Sequence, residues 1–333
     1  MKSCLCVALT LLFGCEVAET QELVETSRAT VSGTAGLTHF AIGMAPSCAA
    51  DGAILLAPVQ PPRAQVDVVW RVSPDGRNVT KIDVTSFPAF AKAGLVDARL
   101  MPDGDAVLLV GVSTKGSGTT RALLTVDSRG RLLAKTPLDD AHWTTVVPLS
   151  SGRFLASGAR IDDTADLSVL SASGQRESTV RPRVSEDERP GKAQDDRAID
   201  DRVWADLTMA EPTPDDHAWV VRPDIRGPAY EVDSSGEILK TFELLPPPGA
   251  AELVMMKISR RRMAVLYALD AGETGPRPQV ISVFDADSGS RIADYRPAGL
   301  GIFCCYVNDD MGDTFRFLAP TPDGLVLRNT VPR

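Results

Sequence analysis

The side chains with chemical potential in this chain are few and scattered. Three histidines, His39, His142 and His217, lie far apart, and neither HExxH nor CxxC accompanies them, so the ingredients of a zinc site are missing. No GxSxG elbow, Walker loop or GxGxxG occurs. Asn308-Asp-Asp-Met-Gly-Asp313 supplies oxygen ligands but lacks calcium-loop spacing and an acid at the twelfth position, and it reads as a turn. For hydrolysis there remain Asp97, Asp206 and Glu252, each near the start of an expected inner strand, where carboxylates could converge on a channel and hold a divalent metal. For binding there remain His142 with Trp143, His217 with Trp219, and Arg222, Asp224 and Arg226. Arginine is pre-shaped for carboxylates and phosphates, and a tryptophan at a mouth is a stacking surface. Packing between sheets is the competing role for both tryptophans. No cofactor is expected.

Positioning these groups falls to a repeated strand, turn and strand. Ser73-Pro-Asp-Gly76, Asp127-Ser-Arg-Gly130, Ser171-Ala-Ser-Gly174, Asp233-Ser-Ser-Gly236 and Asp285-Ala-Asp-Ser-Gly289 each lie between two apolar runs. In each, Asp or Ser accepts from the backbone two residues on, and Gly supplies the positive φ of a tight hairpin. The recurrence, at roughly 45 to 60 residues, is that of propeller blades. Strands such as Asp67-Val-Val-Trp-Arg-Val72 alternate with period two, and no long stretch has helical period. Four-stranded units are read at about 37–84, 95–138, 143–180, 203–244 and 251–295, with a last from about 302 that is one strand short. An open ring would leave two exposed sheet edges, so Ser27-Arg-Ala-Thr-Val31 is expected to complete that last unit. The expected architecture is an all-β propeller of six four-stranded antiparallel blades, with five or seven as alternatives.

In such a meander alternate connections share a rim. The first-to-second and third-to-fourth links are mostly tight turns, whereas the others are long: Pro58–Pro62, Ser113–Gly118, Arg222–Pro228, Leu245–Gly249 and Asp270–Pro276. The elaborated rim, carrying the His, Trp and Arg groups named above, is the expected binding face. The charged run 181–202 is expected to be a solvated surface loop, because so few apolar residues cannot offset the cost of ordering it.

The chain has 333 residues, 35 basic against 44 acidic, for a net charge of -9. That is the wrong sign for neutralising phosphates, so no nucleic-acid partner is expected. Residues 1–15 read as a signal peptide, 16–30 as a polar tether or closing strand, and 31–333 as the propeller. Leu12-Phe13-Gly14-Cys15 resembles the lipobox of bacterial lipoproteins, which implies acylation of Cys15, with ordinary cleavage a few residues later as the alternative. The expected protein is thus exported, periplasmic or outer-membrane attached, monomeric, and in contact with a membrane only through such an anchor. Cys48, Cys304 and Cys305 fall in the folded part. Neighbours on a strand point to opposite faces, so only one of Cys304 and Cys305 is expected to pair with Cys48 and staple the ring. Free thiols and a vicinal Cys304–Cys305 bridge are the alternatives.

Asp233-Ser-Ser-Gly-Glu-Ile-Leu239, Asp127-Ser-Arg-Gly-Arg-Leu-Leu133 and Ser73-Pro-Asp-Gly76 resemble exported bacterial six-bladed propellers of the NHL and YVTN-like kind over about residues 37 to 330. The resemblance implies architecture and no particular ligand. Asp285-Ala-Asp-Ser-Gly-Ser-Arg291 is similar to one copy of the quinoprotein blade motif but lacks its Trp and does not recur. A quinone cofactor is therefore not implied. The favoured function is a non-catalytic binding module for a protein, peptide or small ligand; the alternative is a metal-dependent propeller hydrolase or lactonase.

Overall fold

The structure is a computed structural model that describes residues 20–34, 41–42, 44–59, 67–114, 118–138, 141–160, 165–180, 209–221, 225, 227–270 and 277–333. The leader with Cys15, the run 181–202, and His39, Asp206, Arg222, Asp224 and Arg226 lie outside the described residues.

Short apolar strand segments, broken by Asp/Ser-Gly turns, give antiparallel meanders arranged as in a β-propeller. The first sheet holds strands Ser47–Cys48, Ile54–Leu56, Val68–Val72 and Val79–Asp83. The second holds Ala93–Leu100, Ala106–Thr114, Gly118–Val126 and Leu132–Leu138. In the third are Ala141–Pro148, Phe154–Arg160, Ala165–Leu170 and Arg176–Thr179, and in the fourth Ala210–Pro212, His217–Val221, Pro228–Asp233 and Ile238–Glu243. The next two meanders, Ala250–Ser259 to Arg291–Arg296 and Ile302–Asp309 to Gly324–Pro332, are joined through Gln21–Thr30 into one eight-stranded sheet.

The expectation of six separate four-stranded sheets is therefore corrected: among the described residues four are separate, and eight strands share a fifth sheet. The reason is the length of the N-terminal strand. It runs from Gln21 rather than Ser27, lies antiparallel to Gly324–Pro332, and its first residues, Gln21 and Glu22, also pair in parallel with Tyr295 and Arg296 of the preceding meander. The edge that would stay open is thus covered from both sides. Residue 37, the expected start of the first unit, lies outside the described residues; Ala41–Ile42 pairs with Pro58–Val59 in a small sheet of its own.

The innermost strands touch in cyclic order, from Ser47–Cys48 through Ala93–Leu100, Ala141–Pro148, Ala210–Pro212 and Ala250–Ser259 to Ile302–Asp309, which returns to Ser47–Cys48. Apolar layers fill the space between neighbours. Leu55, Val69 and Ile82 pack on Leu108, Val110 and Leu124, and Trp219, Val221 and Phe242 pack on Met263, Val265 and Phe284. The seam between last and first meanders is filled by Ile54, Leu56 and Trp70 against Leu318, Leu325 and Leu327.

The hairpin turns are held as their sequence demands. Asp127 Oδ1 accepts from the backbone N–H of Arg129 at 2.9 Å and of Arg131 at 2.8 Å, while the Asp127 carbonyl accepts from Gly130 N–H at 2.8 Å. Bonds from the Arg131 backbone hold the Asp127 carboxyl below its usual range, and those from the Ser73 and Ser288 side chains do the same for Asp75 and Asp285. A carboxyl group depressed in the fold adds stability that is present above the ordinary carboxylate pKa and is lost as pH falls through the folded value. Thermal melts between pH 7 and pH 2 are accordingly expected to keep their midpoint until about pH 4 and then fall, with a shallower fall for a D75N/D127N/D285N variant. Parallel profiles would contradict this assignment.

The turn glycines also dock neighbouring meanders. At Gly289, φ is +70°, and a Cβ would lie 2.6 Å from Phe242, on the outer strand of the fourth sheet. At Gly152, φ is +79° and the space around a Cβ is open. Gly289→Ala is therefore expected to cost about 2–4 kcal/mol, the conformational penalty plus overpacking, and Gly152→Ala about 1 kcal/mol. Urea unfolding of the two variants checks the difference.

Candidate functional site

The inner strands bring together a charged group at the axis. Ser47, Arg99, Glu211 and Lys257 each stand two residues before the residue that closes the first hairpin of their meander: Ala49, Met101, Thr213 and Ser259. Equal spacing places them at one level of the ring. Lys257 Nζ donates to Glu211 Oε1 and to the Pro46 carbonyl; Arg99 Nη1 lies 3.8 Å from Glu211 Oε1, and Arg99 Nε donates to Asp97 Oδ2 at 3.3 Å. The same Asp97 oxygen accepts from Val146 N–H at 3.0 Å, and Ser47 Oγ accepts from Leu100 N–H at 2.9 Å. Strands of the first five meanders thus share one network.

Its side chains are nearly dry, at 2% exposure for Arg99 and Lys257, 6% for Asp97 and 8% for Glu211. Two basic side chains face two carboxyl groups in this network. Burial lowers the Lys257 pKa; Glu211 opposes that shift and Arg99 reinforces it. Such a group survives in a dry interior only while each charge keeps its partner.

A second level lies farther from the tight turns. Val96, Thr144, Val254 and Cys304 are each the extra residue of a β-bulge, and each stands five residues before the hairpin-closing residue, namely Met101, Leu149, Ser259 and Asp309. A bulge re-aims side chains and twists its strand.

The residues nominated from sequence scatter over this frame. Asp97 belongs to the axial network. Glu252 does not join it: it is exposed and lies 2.8 Å from Arg277. Among the described residues no three His, Cys, Asp or Glu side chains group as metal ligands. His142 is exposed at the start of an inner strand, on the elaborated rim, but Trp143 turns inward, 1% exposed, with the Arg176 guanidinium 5.5 Å over its ring. His217 and Trp219 are not on that rim. His217 follows the tight Thr213–Asp216 turn, so it belongs to the compact rim, where its Nδ1 lies 2.9 Å from Glu231 Oε1. Trp219 is buried mid-strand against Phe242, with ring centroids 5.1 Å apart. Both residues come after a first hairpin rather than before a long link.

Arg99, Glu211 and Lys257 were the functional-looking groups the sequence reading missed. The signal was present: Lys257 interrupts Leu253-Val-Met-Met256 and Ile258, and Arg99 lies between Ala98 and Leu100, each two residues before a turn. A lone charge inside an apolar inner strand needs a partner across the ring.

The seam carries a covalent tie. Cys48 and Cys305 are joined by a disulfide with Cα atoms 5.9 Å apart, and Cys304 is a buried free thiol. Arg316 reinforces this seam, donating through Nη1 to the Gly52 carbonyl, through Nη2 to the Pro74 carbonyl and through Nε to Asn329 Oδ1 at 2.9 Å.

The class defined by this ring of antiparallel meanders is the β-propeller. The chain is similar in structure to a protein of unknown function from Bacteroides caccae, with 14% identity, 77% of this chain and 82% of that one covered, and a TM-score of 0.46. It is similar also to a proposed TolB from Agrobacterium tumefaciens, with 15% identity, 87% and 90% covered, and a TM-score of 0.46. No protein-family model and no curated protein matches the chain.

Proposed function

We propose that this propeller is an exported, non-catalytic binding module that takes a protein, peptide or small ligand on its elaborated rim, with Cys15 acylated as its membrane attachment. The observation that supports this reading is the self-contained axial network: Asp97 and Glu211 are already committed to Arg99, Lys257 and the backbone of Val146. Carboxylates so engaged are poor candidates for a hydrolytic metal, and Glu252 is set apart from them by its pairing with Arg277. A propeller closed on its axis offers ligands its rims, and long connections on a rigid frame are where recognition residues concentrate.

The test is site-specific photocrosslinking in cells. A benzophenone residue replacing exposed His142 samples the elaborated rim, and one replacing Met311, 97% exposed at a tight hairpin, samples the compact rim. Adducts of discrete mass from position 142 and none from 311 are expected. Adducts only from 311, or none from 142, would overturn the reading.

A further inference from the structure

We propose that Cys304 is a second partner for Cys48, so that the seam disulfide can exchange between Cys305 and Cys304. Successive strand residues face opposite ways, which would let only one of the two cysteines reach Cys48. The bulge removes that restriction. Phe303 pairs with Phe317 and Cys305 with Arg316, leaving Cys304 as the unpaired extra residue between them. All three cysteines consequently lie in one apolar cluster, with Ile54, Leu56, Trp70 and Leu318. The Cys48 sulfur is 2.8 Å from the Cys304 carbonyl oxygen, so the backbone of Cys304 already touches the bridge.

The exchange balances without an oxidant. The Cys304 thiolate attacks Cys48 Sγ; the Cys48–Cys305 S–S bond breaks as the Cys48–Cys304 bond forms; Cys305 leaves as thiolate and takes the proton that Cys304 gave up. In the resting state the Cys304 Sγ–H donates to the Arg316 carbonyl at 3.1 Å. Burial pushes this thiol up to about 12, while Arg316 and Lys257 pull in the other direction. Exchange is therefore slow at neutral pH and quickens about tenfold per pH unit as thiolate forms.

The test uses the full chain, oxidised. Wild-type protein is held at pH 7.0 to 9.5, quenched in acid, alkylated in denaturant without reductant, and its linked peptides are mapped by mass spectrometry. A Cys48–Cys304 peptide whose rate of appearance rises about tenfold per pH unit is expected. A bridge that stays on Cys305 at every pH overturns the proposal. A second arm uses the folded fraction of Cys305→Ser, in which Cys48 is expected to be linked to Cys304; free thiols at both positions there overturn it as well. Cys304→Ser must keep the Cys48–Cys305 bridge at all pH values, and any other linkage would assign the exchange to a different thiol.

Discussion

Glu211→Ala is expected to be the most damaging single substitution away from the seam, lowering unfolding free energy by about 3–5 kcal/mol. Glu211 is the carboxylate between two cations, accepting from Lys257 Nζ and lying 3.8 Å from Arg99 Nη1. Without it, Arg99 and Lys257 remain buried with Asp97 as the sole acid of the group, and truncating one partner of a buried network leaves the full desolvation cost of the others. Lys257→Met should cost less, because Glu211 keeps Arg99 and the methionine fills the space of the lysine stem. Urea unfolding followed by circular dichroism gives both values. A Glu211→Ala loss within about 0.5 kcal/mol of zero, the range of ordinary surface changes, would mean that water hydrates the axis and that the network does not close the ring.

The second large effect is at the seam. Cys48→Ser, or reduction of the wild-type bridge, is expected to cost up to about 5 kcal/mol, since the bridge closes a loop with a sequence separation of 257. In the chain-entropy account so long a loop gains nearly the largest stabilisation a disulfide can supply. Cys304 moderates the loss in Cys305→Ser but not in Cys48→Ser, so the two variants should differ although each removes the same native bond. Arg316→Met should destabilise the same boundary through loss of its bonds to the Gly52 and Pro74 carbonyls, which lie in hairpins of the first sheet. If added dithiothreitol left the wild-type midpoint unmoved, the bridge would contribute nothing to ring closure.

Much of the fold was legible because its signals are local. The Asp127 and Asp233 turns form as their residues require, through side-chain bonds to the following N–H groups and a glycine with positive φ. Alternation in Val68–Val72 likewise places Val69, Trp70 and Val72 in buried layers. The closing strand was legible in outline only. Its ten residues from Gln21 carry an exposed, polar pattern with no alternation to mark where pairing starts. Trp143 and Trp219 were ambiguous for a related reason: aromatic residues serve mouths and cores equally well, and burial alone tells them apart.

The order of strands, the hairpin corners and the need to close the ring follow from the amino-acid sequence alone, because φ preferences, side-chain alternation and turn hydrogen bonds act over a few residues. Which charges meet does not follow. Arg99, Glu211 and Lys257 stand more than forty residues apart in sequence and become neighbours only when curvature of the whole ring brings their strands to a common axis. The same holds for Cys304, whose access to Cys48 depends on a bulge set by the pairing of Phe303 and Cys305 with the next strand. Long-range pairing and burial decide these contacts, and both belong to the assembled tertiary structure.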